Sequence, residues 1–79
     1  SVMLDKRMPL MINKKYEPAT ASMRIFLKDI DVITGYLKSN KLSSPTFEAA
    51  ANLYNQSKEN IPITYDTAAI YEQLKINNE

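Results

Sequence analysis

The stretch Ala19-Thr20-Ala21-Ser22-Met23-Arg24-Ile25-Phe26-Leu27-Lys28-Asp29-Ile30-Asp31-Val32-Ile33-Thr34-Gly35-Tyr36-Leu37-Lys38-Ser39 decides how this chain folds. Ile25 or Phe26, then Ile30, Ile33 and Leu37, recur at the i, i+4, i+7, i+11 spacing of one buried helical face. Met23 and Leu27 widen that stripe, and Arg24 falls off its centre and is expected in solvent. The spacing predicts a helix over 19–39. Gly35 inside it costs about 1 kcal/mol relative to Ala, which predicts a neighbouring helix packed closely at that point.

Outward from this helix, prolines at 9, 18, 45 and 62 divide the chain into segments of helical character. Residues 2 to about 10 form a short amphipathic stretch with Met3, Leu4 and Met8 at helical spacing, followed by a turn at Asn13-Lys14-Lys15. Ser44-Pro45 reads as an N-cap followed by proline at the first helical position. Phe47, Ala50, Ala51 and Tyr54 form the expected buried stripe of that helix, and the run Ala49-Ala50-Ala51 suits the close approach of another. Asn60-Ile61-Pro62-Ile63 ends it. Asp66 is placed to cap the last helix, whose inward face is Ala69, Ile70 and Leu74, with Thr67 beside them. No segment alternates with period two for long enough to argue a strand. The expectation is an all-α domain, a bundle of three main helices with a short leading one.

With 79 residues, the chain makes one domain at most and buries only roughly 60–65% of its unfolded surface. It has no Cys and no His, so disulfides, structural zinc and histidine acid–base chemistry are excluded. Ten basic residues balance nine acidic ones, which leaves no electrostatic footprint for nucleic acid or an anionic membrane. No run approaches the ~20 apolar residues of a membrane span; a soluble, cytoplasmic protein is expected. One glycine builds neither a GxGxxG nor a Walker loop.

The polar cluster Lys28-Asp29 with Asp31 lies in the longest helix. Adjacent helical positions diverge by about 100°, so Lys28 and Asp29 do not share the apolar stripe, and a solvated face accounts for them on sequence physics alone. Arg24 and Lys28 form an i, i+4 basic pair that suits an anion at a cost of a few tenths of a kcal/mol. The five tyrosines are dispersed, as amphipathic packing at a core margin would have them. Met3, Met8, Met11 and Met23 suit either core or an adaptable interface.

The string Ile25-Phe26-Leu27-Lys28-Asp29-Ile30 resembles the hydrophobic-hydrophobic-Lys-Asp-Leu signature in the C-terminal domain of 3-hydroxyisobutyrate dehydrogenases and their β-hydroxyacid relatives. The elements that follow in that family are similar to Ser44-Pro45-Thr46-Phe47-Glu48-Ala49-Ala50-Ala51 and Asp66-Thr67-Ala68-Ala69-Ile70 here, in the same order. Residues from Ser1-Val2-Met3-Leu4 through Arg7-Met8-Pro9 to Tyr16-Glu17-Pro18 resemble the preceding segment of the L-threonate dehydrogenase-like branch. The resemblance covers essentially the whole chain, and Lys28-Asp29 is its sharp motif. Ala21 stands where many members carry Phe, Val2 where the threonate-like branch has an aromatic, and the glycine expected between the second and third main helices is missing, with Asn60 left to fill that turn.

The resemblance implies the fold of the 6-phosphogluconate dehydrogenase C-terminal-like domain. It implies a longer parent whose N-terminal Rossmann domain carries the GxGxxG loop and the catalytic Lys, neither of which is present here. That parent would be an NAD- or NADP-dependent dehydrogenase of a small, threonate-like 3-hydroxy acid, and a homo-oligomer, with the Met3/Met8 stretch as an apolar contact between copies. This chain would hold no cofactor and no catalytic residue of its own. Lys28 and Asp29 would reach the cleft near cofactor and substrate, Lys28 supplying positive charge and Asp29 orienting it. The other reading of the residues is a stand-alone helical protein-interaction module, marked by an apolar groove with no tie to Lys28-Asp29.

Overall fold

The computed structural model describes residues 2–79, and side chains from Asp5 onward. Four helices follow in order: α1 Val2–Asn13, α2 Met23–Ser39, α3 Pro45–Ser57 and α4 Ile70–Asn77, the last entered through a 3₁₀ turn at Thr67–Ala69. The described residues contain one isolated antiparallel bridge, Ser22 to Asp66, and no strand. The all-α expectation is met. No described helix is long and apolar enough to cross a membrane.

Helix α2 begins at Met23, not Ala19, because every donor of its first turn finds a partner there. Ser22 accepts from the Ile25 amide through its side chain and from the Phe26 amide through its carbonyl. The Met23 and Arg24 amides donate to the carbonyls of Tyr65 (2.8 Å) and Ile63 (2.9 Å). The Met23, Arg24 and Ile25 amides are among the N–H groups that a helix start leaves without internal acceptors, and the Phe26 amide makes the first i→i−4 bond of the helix. Residues 19–22 are thereby held as a connecting segment. Helix α1, in turn, runs through Pro9 rather than stopping there. An interior proline costs about 3 kcal/mol, and Leu10 and Met11 offset it by packing on the core. Met3 and Leu4 lie outside the described side chains; Met8 is exposed.

The core gathers where the two long connections cross. Tyr16, Met23, Ile61, Ala68, Ala69 and Ile70 are buried together, with Leu53, Tyr54 and Tyr65 against them, and the Tyr16 and Tyr65 rings stack at 5.6 Å. Connection meets connection through the backbone: the Asp66 amide donates to Tyr16 O (2.8 Å) and the Thr67 amide to Ala21 O (2.9 Å). The Asp66 side chain is wholly buried beneath this crossing. It accepts from the amides of Ala68, Thr20 and Ala21 and from the Thr20 hydroxyl, and its Oδ1 lies 3.3 Å from Arg7 Nε of α1. As expected from sequence, Asp66 caps, but it caps the 3₁₀ turn and ties α1 and the 20–21 segment to it as well. Helix α4 is seated by a polar seam. Asn60 donates to the buried Gln73, Gln73 to Asn77, and Asn77 to Gln56 on α3.

Several face assignments from sequence are corrected. On α2 the buried residues are Met23, Leu27 and Ile30, so the two that were to widen the stripe are its centre. Ile25 and Ile33 are exposed and Phe26 sits at the margin of exposure, its ring tilted against Tyr54 at 4.6 Å. On α3 Ala51 is buried while Ala50 faces solvent, and on α4 Leu74 is exposed where Gln73 is buried. Met23 of α2 and Ile70 of α4 join the core cluster at the connections, and packing there, not the centre of each apolar stripe, sets which side of these helices is buried. Gly35 has no heavy atom within 4 Å of where a Cβ would stand, so no neighbouring helix explains it.

Two helix ends turn through left-handed lysines, Lys14 (φ 52°) and Lys41 (φ 55°); Asn60 has no positive φ. At Lys41 the amides of Leu42 and Lys41 donate back to Leu37 and Lys38 carbonyls, the paired bonds of a Schellman end. Lys41→Gly removes the Cβ cost of that conformation and is expected to stabilise the chain by about 1 kcal/mol, read as a higher urea midpoint at unchanged slope.

Asp66 supplies a second prediction. Burial alone would push its carboxyl upward, but the Ala68 and Ala21 amides, the Thr20 hydroxyl and the Arg7 guanidinium together hold it below its ordinary value. A carboxyl depressed in the folded chain binds fewer protons there than in the unfolded chain, so its contribution is full above the unfolded value of about 3.9 and is lost as pH falls through the folded one. Unfolding free energy measured by urea titration should fall from about pH 5 downward. Asp66→Asn should flatten that acid limb, and Asp66→Ala should cost about 3–5 kcal/mol by leaving the Arg7 charge unpaired.

Candidate functional site

Lys28 and Asp29 sit on the second turn of α2 and are placed by what is buried beside them. Leu27 and Ile30 turn inward, and at about 100° per residue the two positions between them are carried to the outer side. Both are exposed, and no ion pair or hydrogen bond among the described residues engages either side chain. Arg24, one turn earlier, is also exposed, as the sequence led one to expect.

This polar pair is set in an apolar surface. Ile25, Val32 and Tyr36 are exposed to 63%, 65% and 63%. With Asp29 they fall at i, i+4, i+7 and i+11, one line along the helix. Lys28 flanks that line on one side and Ile33 on the other. Helix α2 thus has two apolar faces, one against the core and one that is exposed among the described residues. Of the large hydrophobic side chains exposed among the described residues, those on this line of α2 are contiguous, and a contiguous apolar patch is what marks a contact surface.

Chemically, the pair offers one ammonium and one carboxylate on a rigid helix. Such groups hold and orient an anionic or hydroxylated ligand through charge-assisted hydrogen bonds. They supply no nucleophile activated by a base. Among the described residues no group of acidic side chains is placed to hold a metal ion. A separate polar cluster lies on α4. The Tyr16 hydroxyl donates to Glu72 Oε2 (2.8 Å), and Glu72 pairs with Lys75 at 3.3 Å. Burial and the Glu72 carboxylate push the Tyr16 phenol well above its ordinary value, which locks it as a hydrogen-bond donor in the core rather than freeing it for acid–base work.

The resemblance carried the expectation of apolar residues around an exposed Lys28-Asp29, but periodicity did not single out Ile25, Val32 and Tyr36 as those residues, because Ile25 was counted toward the core stripe. Sequence reasoning also passed over Arg7, Gln73 and the Gln56–Asn60–Asn77 amides, whose partners lie 13 to 60 residues away in the chain and leave no local pattern. No protein family, no curated protein and no solved structure matches the chain.

Since neither side chain takes part in packing, Lys28→Ala and Asp29→Ala are each expected to change unfolding free energy by less than about 0.5 kcal/mol. Chemical denaturation checks this, and a larger loss would assign the pair to the fold.

Proposed function

We propose that this chain is the helical substrate-side domain of an NAD- or NADP-dependent dehydrogenase acting on a small, threonate-like 3-hydroxy acid. The observation that carries the reading is the exposure of Lys28 and Asp29, free of internal partners, within the outer apolar line of α2. On this reading a dinucleotide-binding domain covers Ile25, Val32 and Tyr36. Closure against that domain excludes water around Lys28, whose ammonium then meets the substrate carboxylate or the cofactor in a low-dielectric cleft where its charge acts strongly. Asp29 orients the ammonium. The proton and hydride chemistry belongs to the parent's other residues; this chain positions and binds. Homo-oligomer contacts through Met8 and its neighbours form part of the same proposal.

The alternative, a stand-alone interaction module, calls for an apolar groove separate from Lys28-Asp29. A cleft between α2 and α3, away from them, mixes Lys38, Glu48, Asn52 and Asn55 with Leu37 and Phe47, and suits a small ligand better than an apolar helix.

The deciding experiment reads the coding sequence upstream of Ser1. A contiguous frame encoding a strand–GxGxxG–helix unit and a later GxxxKxxN supports the proposal; a nearby start codon without such a frame overturns it. In the enzyme so encoded, Lys28→Ala should lower kcat/KM for four-carbon hydroxy acids on the order of 10²-fold while leaving the unfolding midpoint in place.

A further inference from the structure

A cleft of about 280 Å³ opens between the C-terminal half of α2 and the outer turns of α3, away from Lys28 and Asp29. Leu37, Phe47 and Ala51 form its apolar wall, and Lys38, Glu48, Asn52 and Asn55 stand around it. Two features of this cleft stand out, both in side chains that make no hydrogen bond or ion pair among the described residues.

The first is the pair of asparagines. Asn40, Gln56, Asn60, Gln73, Asn77 and Asn78 all use their side-chain amides in hydrogen bonds within the chain. Asn52 and Asn55 make none among the described residues; Asn13, at the end of α1, makes none either, but Asn52 and Asn55 lie inside α3, where Asn is less favourable than Ala. A local preference broken twice, one turn apart, with no compensating contact is the pattern expected where residues serve binding rather than folding. The second is the charge arrangement. Lys38 on α2 and Glu48 on α3 line one small cleft yet form no ion pair with each other; the described ion pairs are Arg7–Asp66 and Lys75–Glu72. An ammonium and a carboxylate that line one cleft with Leu37, Phe47 and Ala51 and do not pair with each other match a ligand whose own charges are opposite and separated.

We infer that this cleft binds a small zwitterion with an apolar substituent, of the free α-amino acid class. The ligand carboxylate meets Lys38 and the asparagine amides, its ammonium meets Glu48, and its side chain lies on Leu37, Phe47 and Ala51. The volume, just under the ~300 Å³ at which small-molecule pockets begin, restricts the occupant to about this size. The inference is independent of the dehydrogenase reading and is tested without any activity.

The 79-residue chain, ¹⁵N-labelled, is titrated with L-leucine and with L-phenylalanine while backbone amide resonances are followed. Saturable shifts are expected over 34–42 and 47–55. Leucinamide, which lacks the carboxylate, and N-acetylleucine, which lacks the ammonium, should each bind at least ~10-fold more weakly, the loss of one charge-assisted hydrogen bond. Lys38→Met should lower leucine affinity by a similar factor and make the chain indifferent to loss of the ligand carboxylate; Glu48→Gln should do the same for the ammonium. The double variant Asn52→Ala/Asn55→Ala should raise the unfolding midpoint and weaken binding together, which separates lost recognition from lost folding. Absence of saturable shifts up to the ligand's solubility overturns the inference. Equal binding of leucine, leucinamide and N-acetylleucine overturns it as well, by showing an apolar contact without charge recognition.

Discussion

The carboxylate of Asp66 is the point on which the rest of the structure hangs. It is fully buried, and its two oxygens gather donors from three separate segments: Ala68 in the 3₁₀ turn, Thr20 and Ala21 before α2, and Arg7 on α1. A buried charge is tolerated only when its bonding capacity is filled, and here no single element fills it. The aspartate therefore requires α1, the entry to α2 and the entry to α4 to be in place at once. Arg7 extends the requirement, since its Nε also reaches the Thr67 hydroxyl at 3.2 Å. Removing any one segment leaves a buried charge short of partners, which is how a small chain with few buried hydrophobic residues reaches one defined arrangement.

A fold knotted at its connections has a consequence for its helices. Helix α2 is gripped at its first turn by the Tyr65 and Ile63 carbonyls and buried as far as Ile30, while its later turns reach outward. The radius of gyration, 13.3 Å, exceeds the ~11.6 Å expected of a compact chain of this length. The outer face of α2 and the mixed cleft beside α3 both follow from that splay. They lie on different sides of the helix, one apolar with a single charged pair, the other polar with a short apolar wall. They therefore suit different partners: a broad surface for the first, a small molecule for the second.

The exposed apolar line on α2 also explains why its stripe was misassigned. A helix with apolar residues at both Ile25 and Phe26, and again at Val32 and Ile33, carries two overlapping 3.6-residue patterns, and periodicity ranks them equally. Met23 wins the core because the loop carrying Tyr65 and Ile61 packs on its side. That loop is more than 30 residues distant, and nothing within α2 encodes it. The amide seam from Asn60 through Gln73 to Asn77 is hidden for the same reason: each of these residues alone looks like an ordinary surface polar group.

Local chemistry in the sequence determined the helical class, the caps at Ser44 and Asp66, the proline opening α3 and the outward position of Lys28-Asp29, because capping, proline geometry and a 100° step between neighbours act within a few residues. Only the tertiary structure decided where α2 begins, which of its apolar faces is buried, that α1 continues through Pro9, and that Asp66 is a hub rather than a cap alone. Each of these depends on groups brought together from distant segments, where desolvation of a carboxylate and the satisfaction of backbone donors outweigh the local preference.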